Sequence, residues 1–200
     1  HNGGTAILSE TPEIYGAERI LYQRCINKRI RGKLQSYIKW WEEYSKINGT
    51  SLNNNPSAGN IKSGLTTILE KSLGAYSKGG SSKLVDVIGY AEKIKKNGLI
   101  FMDSPGYDPV SATGQIASGA NMICFTTGLG SAFGSVPAPT IKLSSNSELF
   151  QKQGEDIDID CGKVLSENKS VEKMGIEIYN EILNFSSGEK TKSENFFYGQ

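Results

Sequence analysis

Histidine is almost missing from this chain. The single one, His1, stands at the first of 200 positions. A Ser-His-Asp triad, a histidine base or a histidine metal site therefore cannot be assembled from this chain alone. Cysteine is scarce as well: Cys25, Cys124 and Cys161 are far apart and form no C-x-x-C pair. That set excludes a disulfide framework and a zinc ribbon, and it suits a reducing cytoplasm. Neither sign of charge is in excess, with 22 Lys+Arg against 21 Asp+Glu and a net charge of +1. A sequence-nonspecific nucleic-acid binder carries a clear basic surplus, so that class is disfavoured. No apolar run is long enough to cross a bilayer, and no signal peptide is visible. No G-x-x-x-x-G-K-[ST] phosphate loop exists either.

What is present fits a globular chain. Hydrophobic residues make up 37% and charged residues 22%, enough for one core. The 23 glycines predict many tight turns rather than a plain helical bundle. The densest basic run, RCINKRIRGK at 24–33, spreads its charges around a helix and is expected to be a solvated face. The chain does not begin with Met and opens on a glycine turn before an apolar run, which suggests a piece of a longer protein.

The apolar pattern predicts alternating elements. TAILS (5–9) suits a buried strand, and TPE (11–13) a helix start capped by Thr11 with Pro12 at the first position. KLQSYIKWWEEYSK places Leu34, Tyr37, Ile38 and Trp41 on one helical stripe. After a polar loop at 47–63 comes the helix GLTTILEKSLGAYSK. KLVDVIGY (83–90), GLIFMD (98–103), NMICFTTG and TIKLS (140–144) suit strands, and VSATGQIASGA a small-residue helix. The segment 170–188 is a helix capped by Ser170, stopped by Gly188, with Ile176, Tyr179, Ile182 and Leu183 as its apolar stripe. The fold expected is α/β: a mostly parallel sheet flanked by helices, in Rossmann-like layers, over 1–188. A polar-to-aromatic tail, 189–200, is expected to pack against something outside the chain.

Ligands in such sheets sit at the carboxyl ends of strands. Those ends are Ser9-Glu10-Thr11, Asp103-Ser104-Pro105-Gly106 and Thr126-Thr127-Gly128. TTGLGSAFG has one residue too many for a dinucleotide fingerprint and comes late in the chain, so two readings stand: a loop of N–H groups facing an anion, or a structural turn. GEDIDIDCG puts Asp156, Asp158 and Asp160 on one side of an extended segment; Cys161 at the sixth position breaks a calcium loop, leaving an exposed edge with a solvated acidic face. In NNNPSAGNIKSGLTTILEKSLG (53–74), capping and anion binding are equally served by Asn, Ser and Gly.

Five segments together carry a more specific signal. GGTAILSETPEIYGAE, NPSAGNIKSGLTTILEKSLGA, KGGSSKLVDV, FMDSPGYDPVSATGQIASGANMICFTTGLGS and PAPTIKLSSNSELF resemble, in order and over nearly the whole chain, the carboxy-terminal region of the altronate and galactarate dehydratase family. The family eliminates water from hexonic- or hexaric-acid derivatives with an Fe(II)-type divalent metal, and a related branch eliminates sulfite from sulfolactate. The resemblance implies a cytoplasmic parent enzyme, with amino-terminal segments as partners and further metal ligands there. Homo-oligomerisation is left open; no nucleic acid or membrane is implied. Ala58, Ser63 and Leu129 depart from the usual family residues, and Leu129 stands where an arginine could bind a carboxylate.

Under that resemblance, Asn55, Gly59, Asn60 and Lys62 are expected to hold substrate carboxylate or hydroxyls at a helix start, together with Thr126, Thr127, Gly128 and Gly130. Lys71 is a second cation or a base, and Glu10 and Asp103 are acid/base groups or metal partners. The competing expectation is an inactive scaffold or oligomerisation unit.

Overall fold

The structure, a computed structural model, describes residues 2–52, 61–62, 64–65 and 67–197. It divides into two compact units, His1–Gly119 and Ala120–Gln200. Each contains its own three-stranded sheet, and every strand pairing among the described residues is parallel. The α/β expectation holds, with two small sheets in place of one. No helix among the described residues is long and apolar enough to cross a membrane.

In the first unit, β1 (Ala6–Ser9), β2 (Leu84–Ile88) and β3 (Leu99–Met102) run in the order β1-β3-β2. The central strand reads LIFM without polar alternation, and all four residues are buried, as a strand covered on both faces requires. Register pairs Ser9 with Met102 and Ile88 with Met102, so the three carboxyl ends finish level. A short 3-10 turn (Thr11–Ile14) leads to α1 (Glu18–Arg24), and α2 (Lys28–Ile47) follows. Leu21, Ile30, Leu34 and Ile38 pack from these helices onto Leu84, Val87, Leu99 and Phe101. Each such burial contributes about 1.5–3 kcal/mol.

The basic run is not one helix. Cys25 bridges to Leu84, Ile26 donates its N–H to the Leu84 carbonyl, and Asn27 then caps α2 through Ile30 N. Gly49, at φ +67°, ends α2 in the left-handed conformation that glycine favours. Residues 61–62 are helical, and beyond them α3 (Ile68–Ser77) starts at Thr67, whose hydroxyl accepts from Glu70 N.

The sheet's other face carries Ile88, Ile100 and Met102, with Ile7, Val85 and Ile94 against them. There α4 (Asp108–Ser118) buries Ser111, Ala112, Gly114 and Ser118. A Cβ at Gly114 would enter the Tyr90 ring and lie 3.0 Å from the Met102 methyl. Gly114→Ala is therefore expected to destabilise the chain by about 1–3 kcal/mol, read as a lowered midpoint in thermal unfolding.

The second unit orders β4 (Ile123–Thr127), β5 (Thr140–Ser144) and β6 (Ile159–Asp160) as β4-β5-β6. Short helices α5 (Ser147–Lys152) and α6 (Lys163–Ser166) flank β6, and α7 (Val171–Ser186) and α8 (Lys192–Asn195) follow. Ser170 caps α7 by accepting from Lys173 N, as its position predicts. The predicted stripe holds at Ile182 and is corrected at Ile176, Tyr179 and Leu183. Met174 and Phe185 are buried and Ile178 and Ile182 pack beside them, whereas Ile176 is 61%, Tyr179 38% and Leu183 46% exposed. The set 174/178/182/185 satisfies helical spacing as well as 176/179/182/183 does, so periodicity alone did not choose between the two overlapping faces.

The acidic segment is also corrected. None of Asp156, Asp158 and Asp160 is exposed. Asp158 accepts backbone N–H groups of Lys142 (2.7 Å) and Lys192 (2.9 Å), and Asp160 Oδ1 accepts from Gly162 N and the hydroxyls of Ser144 and Ser147. These carboxylates satisfy loop donors that would otherwise be stranded. The segment after 188 is partly packed within the same unit: Thr191 and Ser193 are buried and a capping box closes α8, while Phe196 and Phe197 are exposed.

Candidate active site

The level carboxyl ends of β1, β3 and β2 gather the polar residues of the first unit. Glu10, the residue after β1, adopts φ 74° and ψ 74°. A non-glycine residue in this left-handed region stores about 1–3 kcal/mol of strain and is held by its surroundings. The holding contacts come from the loop after β3. Glu10 N donates to Ser104 Oγ (3.0 Å), and Thr11 N donates to the Ser104 carbonyl (3.0 Å). Ser104 Oγ in turn meets Ser111 Oγ, which shares a 2.7 Å hydrogen bond with Ser9 Oγ; Gln115 Nε2 donates to that same Ser9 oxygen. A buried hydroxyl network thus locks the two strand ends together.

The Glu10 carboxyl is pushed from 4.5 up to about 7, chiefly by burial, then by the neighbouring charges of Glu13 and Asp108; Lys78 and Lys71 act in the opposite direction. Burial disfavours the charged form, and like charges add to it. A carboxyl so placed exchanges a proton near neutral pH, which is what acid/base work needs.

Lys71 projects from α3 onto the 3-10 turn and pairs with Glu13 at 2.8 Å. Gly106 makes room for that pair, since a Cβ there would lie 2.8 Å from Glu13 Oε1. Ser72, fully buried, donates to the Tyr15 carbonyl and fixes α3 against the same turn.

Asp103 follows β3. Its Oδ1 accepts from Thr11 Oγ1 (2.5 Å) and from Trp41 Nε1 (2.9 Å). Thr11 therefore does not cap the helix start, as its sequence position suggested. The adjacent strand end supplies a stronger, charged acceptor for its hydroxyl. With Ser36, Tyr37 and Trp40, Asp103 lines a cleft of about 330 Å³.

The sequence-predicted residues divide. Glu10, Lys71 and Asp103 belong to one end of one sheet. Lys62 is exposed and has helical backbone, as Ile61 does; both precede Gly64 (φ +101°), and Lys62 stands five residues ahead of the Thr67 cap of α3. Asn55, Gly59 and Asn60 lie outside the described residues. Thr126, Thr127, Gly128 and Gly130 belong to the second unit, where Thr127 Oγ1 accepts from Gly130 N and Asn146 Nδ2 donates to the Gly128 carbonyl. That loop uses some of its polar groups to close itself. Sequence reasoning placed Ser9, Thr11 and Ser104 at the strand ends but missed Trp41, Ser111 and Gln115 as partners of the site. It had Tyr37 only as a core residue.

Among the described residues, no group of three His, Cys, Asp or Glu side chains is placed to hold a divalent metal. The described donors therefore do not fit a resident metal.

The sequence is similar to known proteins over its whole length. The family model described as D-galactarate/Altronate dehydratase, C-terminal, matches residues 1–200. Altronate dehydratase of Escherichia coli is 36% identical over 96% of this chain and 39% of its own length. Galactarate dehydratase (L-threo-forming) of the same organism is 34% identical over 94% of this chain and 36% of its own. The (2R)-sulfolactate sulfo-lyase subunit beta of Chromohalobacter salexigens is 33% identical over 96% of this chain and 50% of its own. The chain spans between about a third and a half of the length of these relatives. It belongs to the family of D-galactarate/altronate dehydratase carboxy-terminal domains.

Proposed function

We propose that the parent protein dehydrates a hexonic or hexaric sugar acid of the altronate or galactarate type to a 2-keto-3-deoxy acid, and that this chain supplies the proton-transfer end of the site. The observation that carries the reading is Glu10: a carboxyl on a strained backbone, its pKa raised to about 7, beside the Lys71–Glu13 pair. The dehydratase relatives support the reaction class.

Glu10 takes the proton from the carbon next to the substrate carboxylate. The freed electron pair forms the double bond as hydroxide leaves the next carbon. The proton held by Glu10 goes to that hydroxide, so one water and an enol result, and the enol tautomerises to the ketone. Abstracting such a proton places extra negative charge on the substrate carboxylate, and a nearby cation stabilises it. Lys71 is the cation assigned to that role. Asp103, oriented by its two donors, holds substrate hydroxyls. Lys62, Asn55, Gly59 and Asn60 supply further substrate contacts, and in the second unit Thr126, Thr127, Gly128 and Gly130 offer polar groups to an anion. An Fe(II)-type ion of the parent enzyme would be held by ligands other than the described residues, and the parent is assigned to the cytoplasm.

The parent enzyme incubated with altronate, galactarate and sulfolactate is expected to release a 2-keto-3-deoxy acid from one of the first two. Sulfite release from sulfolactate alone would replace this reading with the sulfo-lyase one, which the match to the sulfolactate enzyme favours. The 200-residue chain by itself is expected to form no product; product from it would remove the scaffold alternative. Lys71→Met in the parent is expected to cut kcat/KM by about 10–100-fold, the loss of one charge-assisted contact of roughly 1.5–3 kcal/mol. Because Lys71 lowers the Glu10 value, the same change moves the rising limb of the pH–rate profile upward. Unchanged turnover and affinity would remove Lys71 from the mechanism.

A further inference from the structure

The cleft beside Asp103 has features that proton abstraction does not use. Asp103 Oδ1 already holds two donors, while Oδ2 takes no hydrogen bond among the described residues. Tyr37, half-buried on α2, lines the same cleft, and its hydroxyl has no hydrogen-bond partner among the described residues. That hydroxyl lies close under Gly89, where a Cβ would stand 3.1 Å away. Burial and the nearby charges of Asp103 and Glu92 keep the phenol protonated. Ser36 spends its proton on the Lys33 carbonyl and keeps lone pairs to accept. Trp40 closes the cleft with an indole that is 50% exposed yet held rigidly, stacked on Tyr44 at 5.0 Å and edge-on to Trp41 at 5.1 Å.

These groups complement a diol. One hydroxyl donates to Asp103 Oδ2, and its neighbour accepts from the Tyr37 phenol. The polarised C–H bonds of the carbon chain meet the electron-rich face of Trp40. A volume of about 330 Å³ falls within the range of small-molecule sites, roughly 300–1,000 Å³. An apolar acid of the same length would displace water from Asp103 Oδ2 and the Tyr37 hydroxyl without replacing its hydrogen bonds, which disfavours it relative to the diol.

We propose that the Ser36–Tyr37–Trp40–Asp103 cleft is a polyol subsite, taking adjacent hydroxyls of an open-chain polyhydroxy acid, with Tyr37 and Trp40 setting specificity. This rests on the sugar-acid reading above for the identity of the ligand, but not on turnover.

The chain contains two tryptophans: Trp40 lines the cleft and Trp41 bonds Asp103 beside it, so their emission reports its occupancy. The full chain is titrated with galactarate and with adipate, which has the same length and charge without the hydroxyls. Galactarate is expected to change the emission saturably and adipate to leave it unchanged. Tyr37→Phe is expected to raise the galactarate Kd about tenfold with an unaltered far-ultraviolet circular dichroism spectrum. An equal response to adipate, no response to galactarate, or an unchanged Kd in Tyr37→Phe overturns the subsite. The two readings fail separately. Tyr37-dependent galactarate binding in a parent protein without dehydratase activity upholds the subsite and removes the dehydration reading. Turnover indifferent to Tyr37→Phe overturns the subsite and leaves the dehydration reading in place.

Discussion

Glu10→Gln in the parent enzyme lowers kcat by about 10³-fold, the typical contribution of a positioned acid/base group, and makes the folded chain more stable above pH 7. The two effects have one origin. Burial and the neighbouring charges of Glu13 and Asp108 hold the Glu10 value at about 7 instead of 4.5. The folded state therefore prefers the neutral carboxyl. For a carboxyl raised in this way, the favourable contribution is fully present below pH 4.5 and is lost as pH rises through about 7. Glutamine imitates the neutral form at every pH. Its advantage over the native residue is thus near zero at pH 4, grows through the interval, and reaches about 2–3 kcal/mol above pH 8. Urea unfolding at pH 5 and pH 8.5 checks the second effect, and steady-state kinetics the first. A mutant that loses activity and gains stability has removed a group held at a cost for function. Equal stability of the two proteins at pH 8.5 would mean that Glu10 is an ordinary surface carboxylate.

Asp158→Ala is expected to cost the second unit about 2–4 kcal/mol. Its two carboxylate oxygens accept from separate backbone amides, Lys192 N on Oδ1 and Lys142 N on Oδ2, and so tie the start of α8 to the central strand β5. Removing the carboxylate strands two donors, each costing roughly 1–3 kcal/mol when buried. Lys142, fully buried in β5, also loses one of the two acidic neighbours whose charges counter the effect of burial on its amine. Hydrogen exchange is the direct readout: the Lys142 and Lys192 amides lose protection in Asp158→Ala and recover part of it in Asp158→Asn. Unchanged exchange at both amides would show that water or other acceptors replace the carboxylate.

Much of the scaffold was legible because local chemistry decided it. LIFM has no polar alternation, so a fully covered strand followed. TIKLS matched β5 residue for residue, and Ser170 capped its helix as its position required. Leu34 and Ile38 faced the core at the expected spacing. What escaped was decided by distant residues. Nothing near Thr11 shows that its hydroxyl belongs to Asp103, 92 positions away, or that Trp41 reaches the same oxygen from 62 positions away. The pairing of strands into two sheets is likewise a matter of long-range partners. The left-handed Glu10 has no sequence signal, because glutamate does not favour that conformation. Its backbone is set by Ser104 and the serines behind it. Strand ends rich in Glu, Asp and Ser pointed to the candidate site, since open parallel sheets put their ligands at such ends.

The central claim is that Glu10 exchanges its proton near neutrality. A carbon-13 NMR titration of the side-chain carboxyl groups in the full chain, with Glu10→Gln identifying the resonance, measures this directly. A midpoint at about pH 7 is expected for Glu10, displaced upward in Lys71→Met. A midpoint near the ordinary 4.5, indifferent to Lys71, would contradict it.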